Sequence, residues 1–535
     1  MTTRLPFPLV DEISRHCLQD DTPETVHIEV HLPGRLHHEG LRTAFHQALA
    51  RHPRVLVRQL PTRWWHRHYT WQLAPAPDVD PVAFPPPGPD ALARARTRAL
   101  TDCPPLDAAP PVRLEVIDPP HITDDPQPAA PTGTVLLLTL HHTALDAPAG
   151  LRILATTADL YREATRSGPT PPPPTPPQPT APQPTARAPR QQARTEVRGE
   201  GRTEVERAER TEPAERPQRA ASPAPLAPSA LSVPSTPSPA PSPYHPGPLT
   251  RPARLAPDHT ATTDRSTPRS PGPGNGMLLA ALPLPTRPQP TDTTEHSPPS
   301  LHTVNDQLLV ATHLMATHWN ALHDRPTAPV IVTMPIDDRP RGPHMPIGNG
   351  TRLTPVAFPS TPTRSPYLPQ APTPTVTHLL HHTAARTRAL KSATPGPQLR
   401  FPSTALTSLP LPVGARRALT RALRSLAAPW TPTALLSNIG RVPYPLDFGD
   451  TGGRATAVWF SAPARMPRGL SITAATTHDG DHIHLALRWS RALLDDAAAA
   501  RLLALFRTSL AATASATTPP PPVGATPRTE GGGTP

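Results

Sequence analysis

The sequence predicts an α+β protein whose strands and helices fall into two segments of the chain. Over residues 26–32 apolar and polar residues alternate, which is typical of a strand with one buried face. Apolar residues then recur at helical spacing over 41–49, up to the helix-stopping Pro53. A long stretch dominated by Pro, Ala, Ser, Thr and Gln separates the two segments. Roughly 400 residues remain for folding, more than one ordinary core holds.

The first folded segment, residues 1–167, mixes strands with helices along its whole length. After the opening strand and helix, the apolar pattern predicts strands at 55–60, 69–73, 112–117 and 135–140, and helices at 91–100 and 150–167. The strand at 135–140 is a continuous apolar run, Val-Leu-Leu-Leu-Thr-Leu, which indicates a buried strand.

Residues 168–274 are predicted to be a mostly disordered linker, because their apolar content is too low to offset the entropy cost of folding. An Arg-Thr-Glu-Val repeat occurs within it, at 194–197 and again at 202–205. A solvated spacer is the preferred interpretation of this mixed-charge run, and a transient helix or a segment that docks a partner is the alternative.

The second folded segment, residues 275–514, again alternates strands and helices. Its pattern predicts strands at 277–284, 330–334, 434–437, 457–461, 470–476 and 483–489, and helices at 307–320, 376–391 and 493–510. Asn305 and Asp306 are the predicted N-cap of the first of these helices. A Pro- and Gly-rich tail, residues 515–535, is predicted to be disordered.

The chain carries 52 Lys and Arg against 41 Asp and Glu, a net charge of +11 over 535 residues. A positive excess suggests an anionic partner, either nucleic acid or a phosphate borne by CoA or a carrier. The arginines are scattered and are not interleaved with aromatic residues, so we favour a solvated surface and expect no nucleic-acid partner. Two cysteines, Cys17 and Cys103, are expected to be free thiols in the cytoplasm. No run approaches a membrane span, and no signal peptide is predicted at the N-terminus.

One His-His pair stands apart from the others in its surroundings. The three pairs are His37-His38, His141-His142 and His381-His382. Only the middle pair ends an apolar strand and is followed four residues later by an acid, Asp146. A strand end holds an imidazole rigidly while the loop exposes it, which suits a general base. No metal is expected, because adjacent strand residues point to opposite faces and no cysteine or carboxylate cluster completes a shell. A structural role is the preferred interpretation of His141.

The stretch His141–Asp146 resembles the HHxxxDG motif of the condensation-domain and CoA-dependent acyltransferase superfamily. That superfamily includes chloramphenicol-acetyltransferase-like proteins, polyketide-associated acyltransferases and condensation domains of nonribosomal peptide synthesis. Further stretches resemble family segments in the same order, namely 26–34 with the helix ending at 51–53, then 303–306, 334–339, 348–349 and 437–440. The resemblance spans nearly all of the sequence predicted to be ordered. It implies two chloramphenicol-acetyltransferase-like subdomains in a V arrangement, 1–167 and 275–514.

The resemblance also implies a mechanism and a set of site residues. His142 would be the catalytic base that activates a hydroxyl or amine for attack on an acyl thioester, in lipid or natural-product biosynthesis. His141, Asp146 and Arg339 would be structural at the site, with Asp146 paired to Arg339. Ser437 and Asn438 would line it. No permanently bound cofactor is implied, and acyl-CoA or a phosphopantetheinyl carrier protein would be the co-substrate. No carrier-attachment segment is recognised in the sequence, so the acyl donor would be a separate molecule. The acceptor would be a small-molecule alcohol or amine.

One position departs from the motif, because Ala147 stands where the family has glycine. If that position needs a positive φ, alanine costs on the order of 1 kcal/mol there. This departure bears on turnover rather than on the fold.

Two other functions fit the sequence. One is a catalytically inactive condensation-like scaffold that binds a carrier protein or a synthetase, which Ala147 favours slightly. The other is a basic, Pro-rich interaction protein whose binding resides in residues 168–244, which ranks last because the arginines there are nearly balanced by glutamates.

Overall fold

A computed structural model describes residues 3–18, 22–118, 133–166, 250–259, 274–284, 302–340, 342, 344–360, 373–393 and 410–516. The predicted linker, 168–274, lies outside these residues except for 250–259 and 274, and the predicted tail lies outside them beyond residue 516. Residues 250–259 are not spacer-like, because Ala253, Leu255 and Ala256 are buried in the core of the second segment. The division into 1–167 and 275–514 remains a prediction.

The first segment contains seven strands and four helices among its described residues. They are β1 (Arg4–Pro6), α1 (Leu9–His16), β2 (Thr25–His31), α2 (His38–Arg51), β3 (Val57–Gln59), β4 (Thr70–Leu73), β5 (Val82–Ala83), α3 (Ala91–Thr101), β6 (Val112–Ile117), β7 (Val135–His141) and α4 (Ala147–Arg166). Helix α1 was not predicted, because three of its eight residues, Asp11, Glu12 and His16, are buried polar groups that break the apolar pattern.

The second segment adds seven strands and five helices in its described part. They are β8 (Asn275–Pro283), α5 (Val304–Leu322), β9 (Val330–Asp337), β10 (Thr351–Phe358), α6 (Thr373–Ser392), α7 (Val413–Ala427), β11 (Ala434–Arg441), α8 (Gly449–Gly452), β12 (Ala457–Ser461), β13 (Leu470–Thr476), β14 (His482–Ser490) and α9 (Asp496–Ser515). Helix α7 and strand β10 were not predicted. The N-cap prediction at Asn305 and Asp306 was wrong, because Thr303 caps α5 and forms a capping box with Asp306.

Three sheets organise these elements. Strands β1, β4 and β3 form a small sheet, and the larger ones have the orders β12-β2-β7-β6-β5 and β10-β9-β11-β13-β14-β8. In the six-stranded sheet, β9, β11 and β13 run parallel, so their C-terminal ends share one edge. Strand β12 comes from the second segment but pairs antiparallel with β2 of the first, from Ala457 opposite His31 to Ser461 opposite His27. Strands and helices are thus mixed as the α+β prediction requires.

Helices cover the large sheets and close a main core in each segment, and a smaller buried cluster forms where α3 packs against Val135 and Leu137 of β7. In the first, α2 and α4 pack against β2, β7 and β6, with Ile28, Phe45 and Leu138 fully buried. In the second, α5 and α9 pack against the six-stranded sheet around Trp319 and Phe506. Each strand and helix end is therefore fixed by a packed core, which positions the loops between them. Among the described helices, none combines the length and apolarity that crossing a bilayer requires.

Candidate active site

The loop between β7 and α4 carries the histidine pair. All seven residues of β7 are buried, so the strand holds His141 at its last position rigidly. Helix α4 begins at Ala147 because Oδ1 of Asp146 accepts a hydrogen bond from the Ala149 N–H at 3.0 Å, the arrangement of an N-cap. Pro148 occupies the first turn, where its missing N–H costs nothing. The sequence thus fixes both ends of a five-residue loop.

His141 is buried and turned into the protein. Its Nδ1 accepts a hydrogen bond from the Thr143 N–H at 3.1 Å, so the neutral ring carries its proton on Nε2. Burial lowers the pKa of His141 to about 3, with further contributions from the charges of His142 and Arg15. A ring that stays neutral and braces the turn suits the structural role that was expected for it.

His142 is the first residue of the turn, and its two ring nitrogens differ in their surroundings. Its Nδ1 lies 3.3 Å from the carbonyl oxygen of Leu145, an acceptor only, so Nδ1 carries the proton and donates it. The Nε2 lone pair has no partner among the described residues. Burial lowers the pKa of His142, and the charge of Arg488 adds to that effect while the charge of Asp146 opposes it. The imidazole is therefore neutral at pH 7, with Nε2 able to accept a proton.

Asp146 and Arg339 form a buried ion pair between the two segments. Nη2 of Arg339 donates to Oδ2 of Asp146 at 2.8 Å, and the same oxygen accepts the Gly350 N–H at 3.0 Å. Arg339 also donates to Asp337 and to the carbonyl oxygens of Pro346 and Gly348, so its five N–H groups share these acceptors. Burial would lower the pKa of Arg339, but the hydrogen bonds and charges of the two carboxylates raise it. Both oxygens of the Asp146 carboxylate accept hydrogen bonds, which fits the structural role expected of this residue.

Asn349 is a site residue that sequence reasoning missed. Its Nδ2 donates to the backbone oxygens of His142 at 3.1 Å and Thr143 at 2.9 Å, and to Oδ1 of Asp11 at 3.0 Å. The Gly-Asn turn at 348–349 had been compared with the family pattern, but nothing local to it indicated a contact 207 residues away. Asn349 therefore holds the histidine turn directly.

Arg488 is a second residue that was missed. It lies in β14, is fully buried, and donates from Nη1 to the Thr25 carbonyl oxygen at 2.7 Å and from Nη2 to Thr25 Oγ1 at 3.0 Å. Thr25 is opposite His141 in the β2–β7 ladder, and the Glu24 carbonyl accepts the His142 N–H at 2.7 Å. No carboxylate among the described residues pairs with Arg488, and burial lowers its pKa to about 9. A cation in β14 thus fixes the strand end that holds both histidines.

Ala147 lies in the first turn of α4 and does not have a positive φ. Among the described residues other than glycine, only Asp324 and Leu446 have one. The strain considered for alanine at this position is therefore absent. Its methyl group is instead buried in the first core, with 7% of the residue exposed.

Ser437 and Asn438 line a cavity of about 1120 Å³ at the edge where the parallel strands end. The wall also includes the start of α5, the ends of β8 and β9, and Pro148 and Leu151 of α4. Oδ1 of Asn438 accepts the Gly440 N–H at 2.8 Å, beside a bulge in the β11–β13 ladder. His142 is not among the lining residues, so the structure brings this pair close to α4 but not into contact with the proposed base. Within the described ranges, no three His, Cys, Asp or Glu side chains cluster as metal ligands would.

Comparison with known proteins identifies the fold. No family model matches the chain, and no curated protein matches its sequence. Solved structures do match, beginning with a variant of the starter condensation domain of rhizomide synthetase RzmA in complex with C8-CoA and Leu-SNAC, at 12% identity and a TM-score of 0.54 over 97% of this chain and 96% of that one. The condensation domain of the monacolin K polyketide synthase MokA matches at 10% identity and a TM-score of 0.52, over 96% and 98% of the two chains.

A third match is the first condensation domain of the CDA synthetase, at 13% identity and a TM-score of 0.51 over 96% of this chain and 97% of that one. At such identities the matches concern the fold alone. They confirm the α+β prediction, whereas the V arrangement of two subdomains stays a prediction. This chain is folded as a condensation domain.

Proposed function

We propose that this protein is an acyltransferase of the condensation type, with His142 as its general base. The observation that carries the proposal is the hydrogen bond from His142 Nδ1 to the Leu145 carbonyl, because it sets the tautomer and leaves Nε2 as the acceptor. Asp146 and Arg339 hold the loop from outside and take no part in proton transfer. Such a division between base and scaffold is what acyl transfer to a neutral nucleophile requires.

The reaction follows from these groups. Nε2 of His142 takes the proton of the acceptor's hydroxyl or amine group while the oxygen or nitrogen of that group attacks the thioester carbonyl carbon. The tetrahedral oxyanion then collapses, the carbon–sulfur bond breaks, and the imidazolium returns the proton to the leaving thiolate. The products are an ester or amide and a free thiol. A positioned general base contributes about 10²–10⁴-fold to such a step.

The donor is either acyl-CoA or an acyl group on a phosphopantetheinyl carrier protein, and the acceptor is a small alcohol or amine. The rhizomide synthetase domain was solved with C8-CoA and Leu-SNAC, which makes octanoyl-CoA and a leucyl thioester the first pair to test here. Ala147 does not favour the inactive scaffold once its backbone conformation is known. That alternative becomes one outcome of the experiment below.

The test is mass spectrometry of octanoyl thioesters and candidate acceptors incubated with the wild type and with His142→Ala. We expect a product in the wild type and a fall in kcat of about 10²–10⁴-fold in the variant. The matched control is His381→Ala, which alters an exposed histidine of another His-His pair and should leave turnover intact. Equal rates for wild type and His142→Ala would refute the base assignment. Binding of a carrier protein by both, without turnover by either, would favour the scaffold.

A further inference from the structure

Helix α7 carries an unusual concentration of positive charge. It contains Arg416, Arg417, Arg421 and Arg424 and no acidic residue. Arg416 is paired, since its Nε lies 2.8 Å from Oε1 of Glu12. Arg417, Arg421 and Arg424 follow one another at spacings of four and three residues, so they share one helix face. None of these three has a carboxylate within ion-pair distance among the described residues.

Two arginines from neighbouring elements extend this face. Arg15 of α1 donates to Gln59, and Arg468 lies in the loop before β13; neither pairs with a carboxylate in the described part of the chain. Burial lowers the pKa of Arg15, and the charges of Arg417 and Arg421 lower it further. Burial likewise lowers the pKa of Arg468 to about 10, with a contribution from Arg424. The charge of Arg15 is thus close to those of Arg417 and Arg421, and the charge of Arg468 is close to that of Arg424. These five arginines are here called the basic face.

The sequence around α7 shows how far this charge is concentrated. Residues 339–446 contain no Asp or Glu and 13 Lys and Arg. The rest of the chain then carries 39 Lys and Arg (52 less 13) against 41 Asp and Glu, a net charge of −2. The whole positive excess of the protein thus lies in one stretch. Lys and Arg are only slightly more frequent in this stretch (13 of 108 residues) than in the rest of the chain (39 of 427), so the excess arises because acidic residues are absent from it.

The basic face is bordered by large apolar side chains that are exposed. Among the described residues nine such side chains are exposed, and five of them adjoin α7, namely Trp64, Trp65, Leu426, Trp430 and Met466. The α7 N-terminus is bonded to the first of these, because the Gly414 N–H donates to the Trp64 carbonyl at 2.8 Å. Arg424 donates to the Met466 carbonyl at 3.0 Å. Leu426 is 71% exposed and Trp64 is 69% exposed.

Apolar side chains rimmed by arginines are the composition of a protein–protein interface, which is enriched in Trp, Met and Arg. A partner that complements the charge is acidic. A single-stranded nucleic acid could stack its bases on Trp64, Trp65 and Trp430, but the exposed aliphatic side chains of Leu426 and Met466 suit a protein partner and not base stacking. The arrangement therefore fits an acidic protein better than a nucleic acid.

The basic face also lies close to the histidine turn. Arg421 donates to the His16 carbonyl at 3.4 Å and Arg424 to the Cys17 carbonyl at 3.0 Å, so α7 is bonded to the C-terminal end of α1. Less than one turn earlier in α1, Ser14 Oγ lies 3.2 Å from Thr143 Oγ1, next to His142. Helix α1, which carries Arg15 of the basic face, therefore also contacts the residue next to the proposed base.

We propose that the basic face and its apolar border form a docking surface for an acidic protein, which presents the acyl thioester to this site. The docking rests on the surface alone, whereas the identity of the docked protein as the acyl donor rests on the proposed function. The phosphate groups of CoA are the competing ligand of the same arginines, and the experiment distinguishes protein docking from CoA binding.

The experiment compares three donors of one octanoyl group: the carrier proteins encoded in the same genome, CoA, and N-acetylcysteamine, which has neither protein nor phosphate. In R417E/R421E we expect KM for the carrier-bound donor to rise at least about tenfold at low salt, as expected when charge steering is lost. KM for the CoA and N-acetylcysteamine thioesters should change less than twofold. The neutral variant R417Q/R421Q should give a smaller rise with less risk to folding. R507E, at an exposed arginine of α9, is the matched control.

A rise in KM for octanoyl-CoA as large as for the carrier would overturn protein docking and assign the arginines to phosphate. No rise with any donor would overturn the surface altogether. If the wild type uses none of the thioesters, the proposed function fails. Fluorescence anisotropy of labelled carriers then still decides the docking, which requires binding to the wild type that weakens with salt and in R417E/R421E.

Discussion

Replacing Asp146 tests how the histidine loop is held. Its carboxylate caps α4 through the Ala149 N–H, accepts the Gly350 N–H, and pairs with Arg339. In Asp146→Ala the lost cap costs about 0.5–2 kcal/mol. The buried Gly350 N–H then has no acceptor, at about 1–3 kcal/mol. Arg339 keeps Asp337 at 2.8 Å, so its charge stays paired and adds little. The free energy of unfolding should fall by roughly 1.5–5 kcal/mol in total.

Asp146→Asn separates these terms. The asparagine oxygen can still accept the Ala149 N–H, but its NH₂ group faces the donors of Arg339 and Gly350. We therefore expect the capping contribution to survive and the loss to be about 0.5–2 kcal/mol smaller than in Asp146→Ala. Both variants should lower kcat by about 10²-fold, because the base is displaced from its working position.

Urea unfolding at pH 7 measures the stabilities, and the thioester assay measures turnover. Asp495→Ala is the capping control, since Asp495 caps α9 by accepting the Ala498 N–H at 2.7 Å. If Asp146→Ala destabilises no more than Asp495→Ala, the link between the two segments contributes nothing and the reasoning is refuted. Equal kcat in the wild type and Asp146→Asn would also contradict it.

Three further predictions follow from the site and the core. The acid limb of the pH profile of kcat/KM should have its midpoint below pH 6.5, the ordinary pKa of histidine, because burial lowers the pKa of His142. A midpoint at or above pH 6.5 would exclude His142 as the base. His313, stacked on Phe358, has its pKa lowered to about 4 by burial, so only the unfolded chain binds its proton between pH 6.5 and about 4. The free energy of unfolding should therefore decrease as the pH is lowered across this window, by up to about 1.4 kcal/mol per pH unit for this residue. In His313→Phe, urea unfolding should give a pH dependence that is shallower by that amount. Ala147→Gly should change turnover less than twofold and destabilise by at most about 1 kcal/mol, since the position is helical; a tenfold gain would show that the motif needs glycine.

Much of the fold could be predicted where one face or both faces of an element are apolar. Strand β7 is an unbroken apolar run and β2 alternates, so both were placed within one residue of their bounds. Strand β10 was missed because Thr351, Arg352 and Pro355 interrupt its apolar pattern, and proline is tolerated there since β10 is an edge strand. Helix α7 was missed although Leu419, Leu423 and Leu426 recur in it at helical spacing, and only Val413 and Arg416 of this helix are buried.

In the candidate site, too, local patterns could be predicted from the sequence and distant contacts could not. The residues at 141–146 form a local motif, so sequence patterns could identify them. Asn349 bonds to this loop from a position 207 residues away, and Arg488 bonds to Thr25, the residue opposite His141 in the β2–β7 ladder. No local pattern distinguishes these side chains from surface ones, because their role exists only once the sheets have packed.

The pairing of β12 with β2 has a consequence during synthesis of the chain. Strand β2 ends at His31, whereas its neighbour begins only at Ala457, about 430 residues later. At roughly 5–20 residues per second, a ribosome needs about 20–90 s to make that stretch. Throughout this interval one edge of β2 presents unpaired N–H and C=O groups to other nascent chains. The polypeptide is therefore exposed to edge-to-edge association while still attached to the ribosome, and we expect protection of that edge by a chaperone to raise its yield in cells.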